Sequence, residues 1–328
     1  MDLGWSHRGA RRSGLGRPGD PAGDNWQSAI TVGAAPLGSI PKDFGYDVAV
    51  EQAVQTVLAT IDSEINAIDT SNGYGEGRSE QRIGEAFERR GGKPDDFLVI
   101  TKVDKEGDRF DAERIRESVR ESKERLGVDF LPLVHLHDPE IFDYDYVAGP
   151  GGAVEGLVQL KEEGEIGAIG LAGGPAPLMS RYLDLGVFDA LLMHNRWTLV
   201  DRSAREIFAK ARAGGPGIFN AAIYGGGILA RMTPTSNDTY CYSPAPAELL
   251  AAITRMRGIC ADYGTDLGTA ALQFSLRDPQ VDTTIVGMSK PERVATTMAA
   301  ARAELPEAIW AELEAELPEE SLWIDHRR

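Results

Sequence analysis

The sequence of 328 residues predicts an α/β protein with a single closed (β/α)8 TIM barrel. Short, mostly apolar segments alternate with helical patterns along the chain, and eight such pairs can be counted. Parallel strands that are covered on both faces have this apolar character, and eight strand–helix repeats close into a barrel. The length is typical of one such domain. We therefore expect a flexible tail over residues 1–27 and a single barrel domain over residues 28–328.

The first half of the chain contains four strand patterns, each followed by a helical one. Asp47 is suited to cap the first helix, because apolar residues then recur at spacings of three and four from Val50 to Ile61. Gly91 and Gly92 would end the second helix. The predicted strands are residues 29–32, 65–69, 97–102 and 131–137, and the next three helices are residues 80–90, 111–126 and 153–161.

The second half of the chain repeats this alternation. Strands five to eight are expected at residues 166–171, 188–193, 217–223 and 283–286, with helices near 176–185, 202–213, 266–276 and 291–302. Two further helical patterns, near residues 246–262 and 306–317, lie outside the strict repeat. The sequence therefore predicts extra helices after the seventh strand and at the C-terminus.

The composition argues against several classes of protein. A formal net charge of −17 disfavours nucleic acid and anionic membranes as partners, because both attract a basic surface. No apolar run reaches the roughly 18 residues of a membrane helix, and none follows Arg11-Arg12 as it would in a secretory or twin-arginine signal. Cys241 and Cys260 lack metal-site spacing and are expected to be free thiols in a reducing cytoplasm. These observations predict a cytoplasmic protein.

Four side chains of catalytic type are predicted to meet at one mouth of the barrel. Asp69 ends the second strand, Tyr74 follows it closely, Lys102 ends the third strand, and His137 ends the fourth. Active sites of such barrels lie at the C-terminal ends of the strands. An unperturbed tyrosine has a pKa of about 10, which a neighbouring cation lowers. A carboxylate can fix the lysine, and a histidine N–H can stabilise an alkoxide oxygen.

The choice between two histidines rests on their position along the fourth strand. His135 and His137 are two residues apart and therefore point to the same face of the strand. His137 is nearer the C-terminal end and is followed by Asp138-Pro139, so we assign it to the site. His135 is expected one layer deeper, as a hydrogen-bonded interior histidine.

The residues around this predicted site resemble the aldo-keto reductase family. Asp69-Thr70, with Tyr74-Gly75 and Ser79-Glu80, is similar to the family's first signature, and the resemblance extends from about Val32 to Leu317. Further segments resemble a bacterial branch that contains L-fucose (D-threo-aldose) and pyridoxal dehydrogenases. These segments are residues 33–38, 129–130, 137–139, 195–199 and 224–227.

The resemblance implies an NAD(P)-dependent oxidoreductase that uses no metal. Tyr74 would be the general acid or base, Lys102 would lower its pKa, and Asp69 would pair with Lys102. His137 would orient the carbonyl or alcohol oxygen of a small sugar, polyol or aldehyde. The nicotinamide would exchange a hydride with the substrate carbon.

The resemblance also implies a site for the cofactor. Tyr224 is similar to an aromatic residue that stacks on the nicotinamide, with an ordinary tyrosine at the barrel rim as the alternative. Free N–H groups at the start of the helix after the eighth strand suit a phosphate, and Lys290 and Arg293 add positive charge there. Arg293 falls where many members contact the 2′-phosphate, so NADP(H) is favoured over NAD(H). The expected cofactor-binding residues are Asn195, Tyr224, Gly287, Ser289, Lys290 and Arg293.

Other residues near the mouth are candidates for contacts with the substrate or the cofactor. Trp197 is a candidate wall of the substrate pocket, with core packing as the alternative. Glu76, Arg78 and Asp104 are candidates for contacts with a polar substrate. Glycine-rich residues 170–174 replace the Ser-Asn pair that often holds the carboxamide in the family, so backbone groups would take over that contact. A Gly-, Arg- and Pro-rich segment also replaces the usual N-terminal hairpin.

Two other functions are compatible with the sequence. One is a nicotinamide-binding regulatory subunit with little catalysis, although the intact set of four catalytic side chains argues against it. The other is a TIM-barrel hydrolase or lyase in which Asp69 and His137 act as metal ligands or acid–base groups, because the barrel alone permits many reactions. The sequence leaves the exact substrate, the direction of the reaction and the oligomeric state open.

Overall fold

Eight parallel strands form a closed barrel, as the sequence predicts. The computed structural model describes residues 10–12, 26–231, 238–241 and 243–326. Each barrel strand pairs with the next along the chain, and the eighth pairs with the first. The strands are β1 (Ile30–Gly33), β2 (Ala67–Asp69), β3 (Leu98–Val103), β4 (Leu133–His137), β5 (Ile169–Gly173), β6 (Ala190–His194), β7 (Gly217–Ala221) and β8 (Thr283–Gly287).

Ten helices of eight or more residues accompany the barrel within the described part of the chain. The extra helices predicted after the seventh strand and at the C-terminus are confirmed as α7 and α10. The helices are α1 (Val50–Ile61), α2 (Arg78–Arg90), α3 (Ala112–Leu126), α4 (Ala153–Glu162), α5 (Ala176–Leu183), α6 (Arg205–Gly214), α7 (Ala247–Asp262), α8 (Leu267–Arg277), α9 (Glu292–Arg302) and α10 (Ala308–Ala315).

Short helical turns occur that the sequence did not indicate. Two are α-helical, Pro41–Phe44 and Tyr144–Ala148, and three are 3-10 turns, Ala35–Gly38, Pro139–Ile141 and Glu320–Leu322. The Pro139–Ile141 turn directly follows β4 and therefore borders the predicted site.

Side chains alternate between two cores along the barrel strands. One apolar cluster joins the outer faces of the strands to the helices. A second cluster contains Ile100 of β3 and Leu133 of β4, together with alternate residues of β5 to β8. Because side chains two residues apart share a face, Lys102 and His137 point to the same side as Ile100 and Leu133. The strand pattern therefore brings both predicted catalytic residues to the barrel interior, above this second cluster.

The capping of the helices differs from the prediction in one place. Helix α1 begins at Val50 with Ala49 as its N-cap and no side-chain cap, so the predicted cap at Asp47 is wrong. Asp47 instead accepts a hydrogen bond from the hydroxyl of Ser39, at 2.9 Å. Helix α3 has a capped start, because the carboxylate of Asp111 accepts a hydrogen bond from the backbone N–H of Arg114.

The N-terminal region contains a two-stranded pairing. Ala10–Arg12 pairs antiparallel with Trp26–Ser28. The predicted tail over residues 1–27 otherwise lies outside the described residues, so its boundary stays a prediction. In the described part of the chain, none of the helices combines the length and apolar character required to cross a membrane.

Candidate active site

A buried ion pair joins the ends of strands β2 and β3. The Nζ of Lys102 lies 2.5 Å from Oδ1 of Asp69 and 2.6 Å from the carbonyl oxygen of Thr70. The two side chains are only 2% and 5% exposed. Burial raises the pKa of Asp69, and the charge of Lys102 opposes that rise. Burial also disfavours the charged form of Lys102, but Asp69 and Tyr74 outweigh it, so the pKa of Lys102 is raised.

The loop after β2 is held tightly against its surroundings. The backbone N–H groups of Thr70 and Asn72 donate hydrogen bonds to the backbone carbonyl oxygens of Ile100 and Lys102 in β3. Gly75 has a φ of +61°, and a side chain there would collide with the carbonyl of Gly38. Only glycine can adopt this positive φ and also fit this close to Gly38 without strain. The loop therefore presents Tyr74 in a defined place.

Tyr74 lies between the predicted lysine and histidine. Its ring centroid is 4.7 Å from Nζ of Lys102. The ring of His137 is 5.5 Å away, with an angle of 82° between the two planes. Burial raises the pKa of Tyr74, and although Lys102 lowers it as expected, burial has the larger effect. The expectation of a net decrease toward neutral pH is therefore wrong, and the hydroxyl keeps its proton.

His137 is bound to a carboxylate at the end of β3. Its Nδ1 lies 2.7 Å from Oδ1 of Asp104 and 3.2 Å from the hydroxyl of Ser71. Its Nε2 lies 3.7 Å from a carboxylate oxygen of Asp138. Burial opposes the charge on this imidazole, but the two carboxylates outweigh it and raise the pKa of His137 to about 9. The sequence indicated Asp104 only as a candidate for contact with a polar substrate and did not reveal its hydrogen bond with His137.

His135 lies fully buried in β4. Its ring packs against Phe219 with 5.7 Å between the ring centroids, and the missing side chain of Gly170 leaves room for it. Neither ring nitrogen has a hydrogen-bond partner among the described residues, which differs from the hydrogen-bonded interior histidine that the sequence predicted. Burial lowers the pKa of His135, so the ring is neutral.

Two predicted cofactor residues lie at the ends of β6 and β7. Tyr224 is partly buried, and burial raises its pKa to about 12 while the charge of Arg293 opposes the rise. Asn195 is buried and has a φ of +60°. Its Oδ1 has no partner within the described part of the chain. A buried amide oxygen of this kind fits a polar ligand group such as the nicotinamide carboxamide.

The other predicted cofactor residues follow β8. Gly287 ends that strand, and the carbonyl oxygen of Ser289 accepts a hydrogen bond from the side chain of Gln52 at 2.6 Å. Lys290 and Arg293 are both exposed near the start of helix α9. Neither forms an ion pair with another described residue, so both charges are available to a phosphate.

Three residues predicted near the substrate have other partners. Trp197 is 8% exposed and packs against Phe208 of α6 and Phe274 of α8, with ring distances of 5.6 and 6.0 Å. These neighbours favour core packing over a pocket wall. The side chain of Arg78 donates to the carbonyl oxygens of Gly38 and Ser39. A carboxylate oxygen of the exposed Glu76 lies 3.6 Å from Nη1 of Arg78.

Glu140 is a polar residue at the mouth that the sequence did not single out. Its Oε1 accepts a hydrogen bond of 2.7 Å from the backbone N–H of Gly174. A side chain at Gly173 would begin only 2.8 Å from its Oε2, so the carboxylate fills space that the glycines leave. The glycines at the end of β5, Gly173 and Gly174, are the sequence signal that another group occupies this place.

One cluster at the mouth has the composition of a metal site. The side chains of Asp138, Glu140 and His194 each place a possible ligand atom within 4.8 Å of the other two. Asp69 and His137, the ligands considered in the hydrolase alternative, are instead engaged by Lys102 and Asp104. Those pairings argue against metal binding by Asp69 and His137.

Comparison with known proteins identifies a family model and several relatives that match most of the chain. The model of the Aldo/keto reductase family matches residues 29–317. A D-threo-aldose 1-dehydrogenase of Pseudomonas sp is 30% identical over 313 residues, covering 87% of this chain and 92% of that protein. An L-galactose dehydrogenase of Arabidopsis thaliana is 32% identical over 278 residues, covering 83% and 84%. A pyridoxal 4-dehydrogenase of Microbacterium luteolum is 25% identical over 329 residues, covering 88% and 94%.

Solved structures show the same fold. An aldo-keto reductase from Bacillus halodurans, in its holo form, superposes with a TM-score of 0.76 at 22% identity, covering 98% of this chain and 100% of that one. A glycerol dehydrogenase from Gluconobacter oxydans superposes with a TM-score of 0.71 at 20% identity, covering 96% and 97%.

Proposed function

Because the chain belongs to the aldo/keto reductase family and is an NAD(P)-dependent oxidoreductase, we propose that Tyr74, Lys102, Asp69 and His137 carry out its chemistry. The proposed substrates are the carbonyl groups of small sugars or aldehydes and the corresponding alcohols. The observation that supports this most is that the Tyr74 ring lies next to both Lys102 and His137. Nζ of Lys102 lies 4.7 Å from its centroid, and the ring of His137 lies 5.5 Å away.

Tyr74 is the proposed proton donor when a carbonyl is reduced. Burial raises the pKa of Tyr74, so the hydroxyl carries its proton at neutral pH. When bound, the nicotinamide supplies the hydride that the substrate carbon receives. The proton of the Tyr74 hydroxyl then goes to the substrate oxygen, and Lys102 stabilises the phenolate that is left. In the oxidation direction, the same phenolate accepts the proton of the alcohol.

His137 is the proposed donor to the substrate oxygen. Its raised pKa keeps the imidazole protonated, and Nδ1 is already engaged by Asp104. The second N–H, on Nε2, is then able to stabilise negative charge that develops on the oxygen. Asp69 acts on the reaction through Lys102, whose position it fixes and whose charged form it stabilises.

We favour NADP(H) as the cofactor and keep NAD(H) as the competitor. Lys290 and Arg293 are exposed at the start of α9 and have no ionic partner among the described residues, in a chain with a net charge of −17. A guanidinium at this place suits a 2′-phosphate. Asn195, Tyr224, Gly287 and Ser289 complete the proposed cofactor site. A similar protein of Escherichia coli, 26% identical over 306 residues, is a NADH-specific methylglyoxal reductase, so NADH is a serious competitor.

The relatives support small carbonyl substrates. Two of them are named as dehydrogenases of aldoses or galactose, and a third as a dehydrogenase of pyridoxal. The carboxylate of Asp138 is partly exposed beside His137, and such an acceptor suits the hydroxyl groups of a sugar or polyol.

Cofactor consumption with a panel of substrates tests this proposal. The purified chain should oxidise NADPH or NADH in the presence of aldoses or small aldehydes, or reduce the oxidised cofactors with the corresponding alcohols. Tyr74→Phe serves as the matched inactive control, because it keeps the ring and removes only the hydroxyl. A hydrolase or a purely regulatory cofactor-binding protein would turn over neither cofactor with any member of the panel.

A further inference from the structure

We propose that Asp104 is a positioning residue, whose carboxylate holds the His137 imidazole toward the substrate oxygen and ties the Tyr74 loop to the same imidazole. Asp104 is the second residue after Lys102 and directly follows the end of β3 at Val103. The inference rests on the proposed function, since it takes Tyr74 and His137 as the groups that meet the substrate.

The two oxygens of this carboxylate have separate partners. Oδ1 lies 2.7 Å from Nδ1 of His137. Oδ2 accepts a hydrogen bond from the hydroxyl of Ser71 and one of 2.6 Å from the backbone N–H of Gly73. Gly73 directly precedes Tyr74. One carboxylate therefore links the histidine at the end of β4 to the loop that carries the tyrosine.

The backbone of Asp104 is held by two hydrogen bonds to helix α3. Its backbone N–H donates to the hydroxyl of Ser118 at 3.2 Å, and its carbonyl oxygen accepts from Arg114 at 3.0 Å. Both of these residues belong to helix α3, which packs outside the barrel. A side chain at Gly73 would begin 2.9 Å from the carboxyl carbon of Asp104, so glycine at that position makes room for the carboxylate. The arrangement is built into the fold and does not depend on a flexible surface contact.

The imidazole of His137 is surrounded by groups of both signs. Asp104 and Asp138 raise its pKa to about 9 against the effect of burial and of Lys102. Tyr74 contacts the ring edge to face. The other titratable groups that interact with it are Asp69 on β2, His135 on β4 and His194 on β6. Asp104 is the carboxylate closest to the ring, so its charge should contribute most to keeping both N–H groups protonated.

Asp104→Asn is the sharpest test, because it keeps the size of the side chain and removes its charge. Histidine-labelled full-length protein would be titrated by NMR, with His137→Gln used to assign the signal among the five histidines of the chain. An opposite charge in contact shifts a pKa by about 1–3 pH units, so the His137 pKa should fall by that amount. Carbonyl reduction should fall about ten-fold or more and should now decline as the pH rises through neutrality. Cofactor affinity, measured by fluorescence, should stay unchanged.

Two further variants separate the possible outcomes. Asp108→Asn removes an exposed carboxylate from the same loop and should change neither the His137 pKa nor the rate. Asp104→Glu keeps the charge but moves it, so the His137 pKa should stay raised while kcat falls. The inference is overturned if the His137 pKa is the same in the wild type and in Asp104→Asn, or if it falls while the pH–rate profile is unchanged. Failure of the proposed function is recognised separately, because the wild type itself would then consume no nicotinamide cofactor.

Discussion

The Nζ of Lys102 lies 2.5 Å from Oδ1 of Asp69, and both side chains are buried at the ends of neighbouring strands. The second carboxylate oxygen of Asp69 has no hydrogen-bond partner within the described residues, so Lys102 is the cation that the carboxylate contacts directly. A buried ion pair contributes little net stability, but the removal of one partner leaves an uncompensated charge. The pair therefore links the stability of the fold to the chemistry at Tyr74.

Lys102→Met should remove activity and destabilise the fold. The substitution keeps an unbranched side chain of similar length but leaves Asp69 without its counterion. We expect turnover to become undetectable and the free energy of unfolding to fall by about 3–5 kcal/mol. Urea denaturation and steady-state rates measure the two effects.

Lys161→Met is the matched control for that change. Lys161 pairs with Asp189 at 2.6 Å, but these side chains are 37% and 39% exposed. Exposed pairs contribute roughly 0–1 kcal/mol, so this variant should unfold nearly as the wild type does. Equal losses of stability in the two variants would contradict the special role of the buried pair.

Tyr74→Phe should abolish turnover while leaving cofactor affinity nearly unchanged. The variant retains the ring beside Lys102 and His137 and loses only the transferable proton. General acid–base groups contribute about 10²–10⁴-fold to a rate, so the loss should reach at least that range. Steady-state rates and fluorescence titration of NADPH provide the two readouts. Near wild-type turnover in the purified variant would refute the assignment of Tyr74 as the general acid or base.

The two histidines of β4 should behave differently. His137→Ala removes a donor to the substrate oxygen, and such donors contribute about 10²–10³-fold to the rate. His135→Ala opens a cavity beside Phe219 and should lower the melting temperature, with turnover reduced only a few-fold. Rates and thermal unfolding of both variants decide between them. If His135 were essential and His137 dispensable, the wrong member of the pair would have been assigned.

The charge on His137 should make stability depend on pH. Its pKa is about 9 in the folded chain, against an ordinary value of 6.5, so folding favours the protonated ring. This stabilisation is fully present below pH 6.5 and is lost as the pH rises through 9. Urea denaturation between pH 6 and pH 10 should therefore show a decline in unfolding free energy that is weaker in His137→Gln. Identical pH dependence in the two proteins would contradict the raised pKa.

The barrel and the ends of its strands could be predicted because the information is local. Apolar runs reveal strands, and residues that follow them reach the same mouth in any parallel barrel. The residues at which the strands begin were predicted less accurately. Residues 131 and 132 read as strand, yet β4 begins at Leu133, because Pro132 has no N–H for the ladder and Leu131 makes only an isolated bridge with Ile166.

Features that depend on distant contacts could not be read from the sequence. The hydrogen bond between Asp104 and His137 joins the loop after β3 to the end of β4, and the sequence near either residue does not indicate the other. The net pKa of Tyr74 depends on how deeply the fold buries it, which a neighbouring lysine in the sequence pattern does not reveal. Trp197 likewise turns toward Phe208 and Phe274, a direction that only the packing of the helices determines.

Cofactor choice should depend on the two basic residues near the start of α9. Arg293→Ala should weaken NADPH binding much more than NADH binding, because only NADPH carries a 2′-phosphate that a guanidinium grips with paired hydrogen bonds. A hydrogen bond to a charged group contributes about 1.5–3 kcal/mol, so the affinity for NADPH should fall about ten-fold or more. Lys290→Ala should act in the same direction but less, since an ammonium lacks the planar fork.

Fluorescence titration of both cofactors into each variant tests this choice of cofactor. Arg302→Ala is the matched control, because Arg302 lies in the last turn of the same helix and pairs with Glu64, away from the proposed phosphate site. It should leave the affinity for both cofactors unchanged. Equal losses for NADH and NADPH in Arg293→Ala would mean that this residue holds the shared part of the cofactor, and the preference for NADP(H) would have to be abandoned. A selective loss of NADPH would assign the 2′-phosphate to the start of α9.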